Sequence, residues 1–173
     1  MAGVRGPSMA APGTDDPTPG GFQRAEIGVG GDAQTQHLTM LLDVQAAQPG
    51  VVRLRDWAFE RLVPAPGETA VDVGSGTGAV VVRLAGHVGP QGSAIGIDPN
   101  PALREVATQR AKAAGSTAAF LDGAADSLPL EDASVDVIIC ERVLQHLEDP
   151  DAAVREFARV LRPGGGSAAV RGS

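Results

Sequence analysis

At 173 residues the chain has room for one domain with a sizeable core, and hardly for two. A hydrophobic share of 43% against 20% charged residues excludes a disordered or fibrous class, and a net charge of −7 argues against a general nucleic-acid binder. The lone cysteine, Cys140, excludes an intramolecular disulfide or a multi-cysteine zinc site. No run approaches the ~20 apolar residues of a membrane span, and no apolar stretch follows Arg5 as in a signal peptide, so a cytoplasmic protein is expected.

Residues 1–21, rich in Pro, Gly, Ala and Ser, read as a disordered tail. Residues 22–66 read as an N-terminal cap and first helix. Within them Leu38, Met40, Leu41 and Leu42 could form a helical turn or two. A clearer helix follows Pro49-Gly50, with Leu54, Trp57, Ala58 and Leu62 at helical spacing and Pro64 closing it. Trp57 reads as helix packing.

From residue 67 to 173 short apolar runs alternate with helical periodicity. Strands are predicted at Ala70–Val73, Ala94–Ile97, Ala118–Leu121 and Val135–Cys140, with a weak fifth at Ser167–Val170. One helix buries Val80, Val81, Leu84, Ala85 and Val88. The next starts near Pro101, buries Leu103, Val106, Ala107, Ala111 and Ala114, and ends at Gly115. Asp149 caps a last helix with Pro150 at its first position and Val154, Phe157, Ala158 and Leu161 as its stripe. Such alternation predicts an α/β fold: a doubly wound, mainly parallel sheet with its ligand crevice at the C-terminal strand ends.

The central motif is Val71-Asp72-Val73-Gly74-Ser75-Gly76-Thr77-Gly78, where a strand runs into a helix. Glycines let the backbone turn tightly and approach a ligand. The helix start beyond offers free N–H groups suited to a carboxylate or phosphate. Taken alone, the turn is open to three readings. It fits a plain tight turn, a dinucleotide fingerprint through Gly74-x-Gly76-x-x-Ala79, or a methyl-donor site. Asp72 would repel a pyrophosphate and attract the ammonium of a methionine moiety.

Further segments follow in order: GIDPN at Gly96–Asn100, DGAADSLPLEDASVDVII at Asp122–Ile139, and ERVLQHLEDPDAAVREFARVLRPGG at Glu141–Gly165. With VDVGSGTG they make the stretch from about Leu54 to Gly165 resemble the class I S-adenosylmethionine (SAM)-dependent methyltransferases. The likeness is greater to the small-molecule branch that includes ubiquinone/menaquinone-biosynthesis enzymes. It implies a Rossmann-like core with SAM as cofactor. Asp72 and the turn of Gly74, Ser75, Gly76 and Gly78 would hold its methionine end. Asp98, followed by Pro99, would accept both ribose hydroxyls. Asp122 would accept from the adenine amino group beside the backbone of Gly123 and Ala124, and Glu141 and Arg142 would line the crevice. Other readings stay open: a helix cap for Asp98, a turn aspartate for Asp122, a solvated helix start for Glu141 and Arg142.

Methyl transfer asks mainly for proximity and alignment, with a base only where the acceptor loses a proton. His146, Glu141 and His37 are candidates for that base, though His146 reads first as a buried hydrogen-bonding residue. No catalytic residue and no metal ligand is assigned. After Gly165 the sequence is too short for the strand hairpin that closes the sheet in that family, so a bare edge is expected, open to a second chain or a homodimer partner. The reading is therefore a SAM-dependent methyltransferase acting on a small molecule, without nucleic-acid or membrane partners. Beside it stand a non-catalytic SAM-binding fragment or partner subunit, favoured by the short end, and an NAD(P)-dependent oxidoreductase, resting only on the glycine spacing.

Overall fold

The computed structural model describes residues 32–62 and 64–170. The tail foreseen at residues 1–21 lies outside them. Two helices come first, α1 (Asp32–Ala46) and α2 (Pro49–Arg61). Then β1 (Thr69–Val73), α3 (Ala79–Val88), β2 (Ser93–Ile97), α4 (Pro101–Ala113) and β3 (Ala119–Leu121) alternate. They are followed by β4 (Val135–Glu141), a single 3-10 turn at Leu144–His146, α5 (Pro150–Val160) and β5 (Leu161–Val170). All strand pairs are parallel, in the order β3-β2-β1-β4-β5. The chain order reverses between β1 and β4, and that switch point opens a crevice at the strands' C-terminal ends.

Period-2 alternation divides the core. Ala70, Ala94, Val137 and Ile139 face Phe59 of α2 and Val80, Val81, Leu84, Ala85 and Val88 of α3. Val71, Val73, Ile97, Ile138 and Cys140 face the other way, against Ala153, Phe157 and Val160 of α5. The same parity aims Asp72 and Glu141 toward the α2–α3 side, and this decides what they meet.

Caps follow local chemistry. Asn100, not Asp98, caps α4: its side chain accepts from the N–H groups of Ala102 and Leu103. Asp149 caps α5 by accepting from Ala152.

Several expectations shift. The short cluster around Leu38 is part of a fifteen-residue helix. In α2 the inward stripe is Arg55, Ala58, Phe59 and Leu62, whereas Leu54 is 39% and Trp57 48% exposed. Trp57 therefore packs at the surface, under the Arg61 guanidinium 4.3 Å from its ring centroid. In α5 the buried face is Ala153, Phe157 and Val160, at i, i+4 and i+7, with Val154 and Ala158 outside, and the helix ends at Val160, before Leu161. Ala114 is likewise exposed just past α4. Strand β5 starts six residues before the segment foreseen. Val135 pairs with Leu161 and Val137 with Gly166, so Arg162–Gly165 bulge out opposite Asp136. Pro163, which cannot donate to a ladder, and Gly164 at φ +89° are suited to a bulge.

Candidate methyl-donor site

The turn after β1 is built by interlocking, and two glycines show why. Gly74 has φ +77°, and a Cβ there would lie 2.2 Å from Cγ2 of Val143. Gly78 has φ +83°, and its Cβ would lie 2.7–2.9 Å from Phe120 and from the Ala107 Cβ. The turn is tied to β2 by the N–H groups of Gly74 and Ser75, which donate to the Ile97 carbonyl at 2.7 and 3.1 Å. Gly78 offers no side-chain cap to α3, so no side chain satisfies the first N–H groups of that helix.

Asp98 sits at the end of β2, 6% exposed. Its Oδ2 accepts from the Gly76 N–H at 2.8 Å and its Oδ1 from the Asn100 N–H at 2.9 Å. Burial raises its carboxyl above the ordinary carboxylate range, and these two N–H groups and Arg104 work against that rise. Each oxygen keeps a lone pair for a further donor. Pro99 beside it is exposed.

Asp72 is 3% exposed, and among the described residues none donates a hydrogen bond to its carboxylate. Burial pushes its pKa well above the usual carboxylate range, the neighbouring Glu141 adds to the push, and Arg55 opposes it. An orphaned carboxylate in a protein interior is costly unless a cation completes it. Ser75 Oγ is also buried without a partner. Both fit a ligand that brings donors, and they fit the ammonium of a methionine moiety.

Glu141, at the end of β4, is held by Arg55 of α2 through a two-pronged fork: Nε to Oε2 at 2.9 Å and Nη2 to Oε1 at 3.0 Å. Both side chains are largely buried. Arg142 follows in the left-handed region, φ +60°, where non-glycine residues rarely sit. Its Nη1 donates to Gln45 of α1 at 3.0 Å. Glu141 and Arg142 are thus engaged groups of the crevice rather than a solvated helix start.

The adenine-side residues lie on a rim. The Asp122 carboxylate is 66% exposed and accepts from Arg104 Nη1 at 2.8 Å. Gly123 is packed so closely that a Cβ would meet Pro129 and Ile97 within 2.9 Å, and Ala124 bridges Ser127. His146 is exposed, its ring nitrogen 3.3 Å from Gln145 Nε2, because the 3-10 turn buries Leu144 instead. His37 is exposed on α1.

Three residues beyond the motif complete the site. Arg55 stands at i before Ala58, Phe59 and Leu62 at i+3, i+4 and i+7, so a cation occupying an apolar stripe was the sequence signal for it. Asp43 of α1 accepts from Thr77 Oγ1 at 3.3 Å and takes a fork from Arg110 of α4 at 2.7 and 2.8 Å. Leu42 lies across Gly76. The local sequence marks Leu42 only as part of an apolar cluster and Asp43 not at all, because their partners are over 30 residues away.

Known proteins agree with this architecture. The chain belongs to the methyltransferase domain family, whose model matches residues 71–168, and S-adenosylmethionine is the cofactor of that family. The chain is 35% identical over 102 residues to a ubiquinone/menaquinone biosynthesis C-methyltransferase of Xanthomonas campestris, covering 58% of this chain and 40% of that one. It is 38% identical over 102 residues to an arsenite methyltransferase of Halobacterium salinarum, covering 58% and 26%. The solved YcgJ protein of Bacillus subtilis superposes with a TM-score of 0.62 at 30% identity, over 68% of this chain and 49% of that one. The chain spans 26–45% of the length of the curated relatives it matches. Among the described residues no helix is long and apolar enough to cross a membrane, and no group of three or more His, Cys, Asp or Glu could hold a metal.

Proposed function

We propose that this chain is a SAM-dependent methyltransferase acting on a small-molecule acceptor. The observation that carries the reading is the buried Asp72 carboxylate, without a hydrogen bond, beside Glu141 at the switch point. SAM, when bound, supplies a methyl group already activated by a sulfonium.

Asp72 and Glu141 would hold the ammonium of the methionine moiety. Gly74, Ser75, Gly76 and Gly78 would let the backbone approach it. Asp98 would accept the ribose hydroxyls with its remaining lone pairs. Pro99, Asp122, Gly123 and Ala124 would line the adenine rim. The acidic site favours a cationic donor over the neutral product, which supports release after transfer. A net charge of −7 and the small-molecule quinone methyltransferase among the relatives support an acceptor of low molecular mass.

Calorimetric titration with SAM and its demethylated product tests the donor site. Micromolar binding is expected, weakened at least tenfold in Asp98→Ala, about 1.4 kcal/mol. A folded chain that binds neither would end the reading. Incubation of cell extract with methyl-labelled SAM then tests the acceptor class. Label recovered in acid-soluble material supports a small molecule, and label confined to nuclease-sensitive precipitate overturns it.

A further inference from the structure

We infer that Arg55 is the clamp for the cofactor's α-carboxylate, held in position by Glu141 until the ligand arrives. This rests on SAM as the cofactor and not on the identity of the acceptor. The amino-acid end of SAM is a zwitterion, so its site needs both signs of charge side by side.

Asp72 and Glu141 supply the negative half, on the same face of the sheet by parity. Arg55 is the forked cation that reaches them. It grips Glu141 at 2.9 and 3.0 Å, and its charge also acts on Asp72. A planar guanidinium that already satisfies one carboxylate in bidentate fashion matches another equally well.

The exchange does not strand Glu141. Arg142 Nε is buried without a hydrogen-bond partner, yet it stands 3.4 Å from Glu141 Oε1, within ion-pair reach. When Arg55 turns to the incoming carboxylate, Glu141 retains Arg142 and gains the ligand's ammonium. Charge is conserved: one carboxylate replaces another on Arg55, and the ammonium takes the place that Arg55 leaves.

Holding Arg55 in this way explains a cation on the inward stripe of α2, where helix packing alone would place an apolar residue. The competing arrangement gives the carboxylate to the free N–H groups at the start of α3. That arrangement leaves the inward Arg55 only its pairing with Glu141.

The test compares ligands that differ only at the carboxylate. SAM, its demethylated product and decarboxylated SAM are titrated into the full chain and into Arg55→Gln. In the wild type, decarboxylated SAM is expected to bind at least tenfold more weakly than SAM. In Arg55→Gln, SAM should fall to the level of its decarboxylated analogue while the analogue stays within twofold of its wild-type affinity. Arg55→Lys, which keeps the charge and loses the fork, should restore part of the discrimination. Should Arg55→Gln fail to fold, Arg55→Gln/Glu141→Gln removes both charges together and should show the same lost discrimination.

Equal weakening of SAM and its analogue would make Arg55 a mere brace for Glu141, and the clamp would be refuted. Undiminished discrimination in Arg55→Gln would transfer the carboxylate to the α3 start, again against the clamp. A folded wild type that binds none of the three ligands would overturn the cofactor reading itself, and the clamp with it.

Discussion

Asp72 concentrates the chemistry of the site in one carboxyl group. Its proton is held well above the ordinary carboxylate range, by burial first and then by Glu141. The folded chain therefore binds that proton more tightly than the unfolded chain does. Stability from this group is fully present below the unfolded value near 3.8 and is lost as pH rises through the folded one. Asp98 runs in the same direction. Ligand affinity runs the other way, because an ammonium prefers the ionised carboxylate. SAM binding should tighten as pH rises through the raised folded value of Asp72, as long as pH stays below the ~7.7–8.0 at which α-amino groups titrate. Asp72→Asn should flatten that dependence, weaken SAM at least tenfold, and raise the melting temperature of the ligand-free chain at pH 7. A variant that bound SAM normally with an unchanged pH profile would remove Asp72 from the site. The motif made Asp72 legible in the sequence. Its lack of a partner was not, since that depends on what α2 and β4 bring to it.

Among the elements, α3 and α1 show two ways of being held. Helix α3 was legible to the residue because Val80, Val81, Leu84, Ala85 and Val88 form one uninterrupted apolar face, all of it buried. Its start is locked by Gly78, where Phe120 and Ala107 occupy the space a side chain would need. Gly78→Ala should cost about 2–5 kcal/mol, combining a left-handed backbone for an L-residue with an overpacked contact. Urea unfolding measures it, and a loss under 1 kcal/mol would mean that the neighbours yield freely. Helix α1 is different. Met40, Leu41 and Val44 are exposed, and a cleft of about 350 Å³ lies between α1 and α4. Polar contacts from Asp43 and Gln45 fasten it across the glycine turn. Long-range polar contacts leave no periodic trace, which is why only a turn or two of α1 was foreseen. The stripes of α2 and α5 were misassigned for a related reason: Arg55 interrupts one pattern, and Val154 mimics the other.

For the molecule as a whole, the doubly wound parallel sheet was legible because parallel strands between helices admit few topologies, whereas the strand order β3-β2-β1-β4-β5 was not foreseen. What the strand runs could not disclose was how α2 delivers a cation to the crevice, since that is a matter of relative orientation. Two apolar layers meet the sheet, one behind α5 and one under α2 and α3, and the proposed ligand site would lie at the strand ends where the two meet. Ligand binding should therefore register globally. SAM at a hundredfold excess over its Kd should add about 2.7 kcal/mol, raising the melting temperature by roughly 5–11 °C for a chain of this size. Hydrogen exchange should slow most in α1 and the glycine turn. A thermal shift absent at saturating SAM would contradict a single cooperative unit containing the site.

The contact of Val143 with Gly74 has an evolutionary consequence. On the proposed reading the turn after β1 would hold the donor, and the segment after β4 would border the space for whatever is methylated. Because one γ-methyl from the second fills the place of a missing side chain in the first, the two loops cannot drift independently. A lineage that acquires a new acceptor by remodelling the β4 loop must keep a small knob at position 143, or compensate at 74. Diversification is thus channelled away from this corner, toward the helices that roof the crevice.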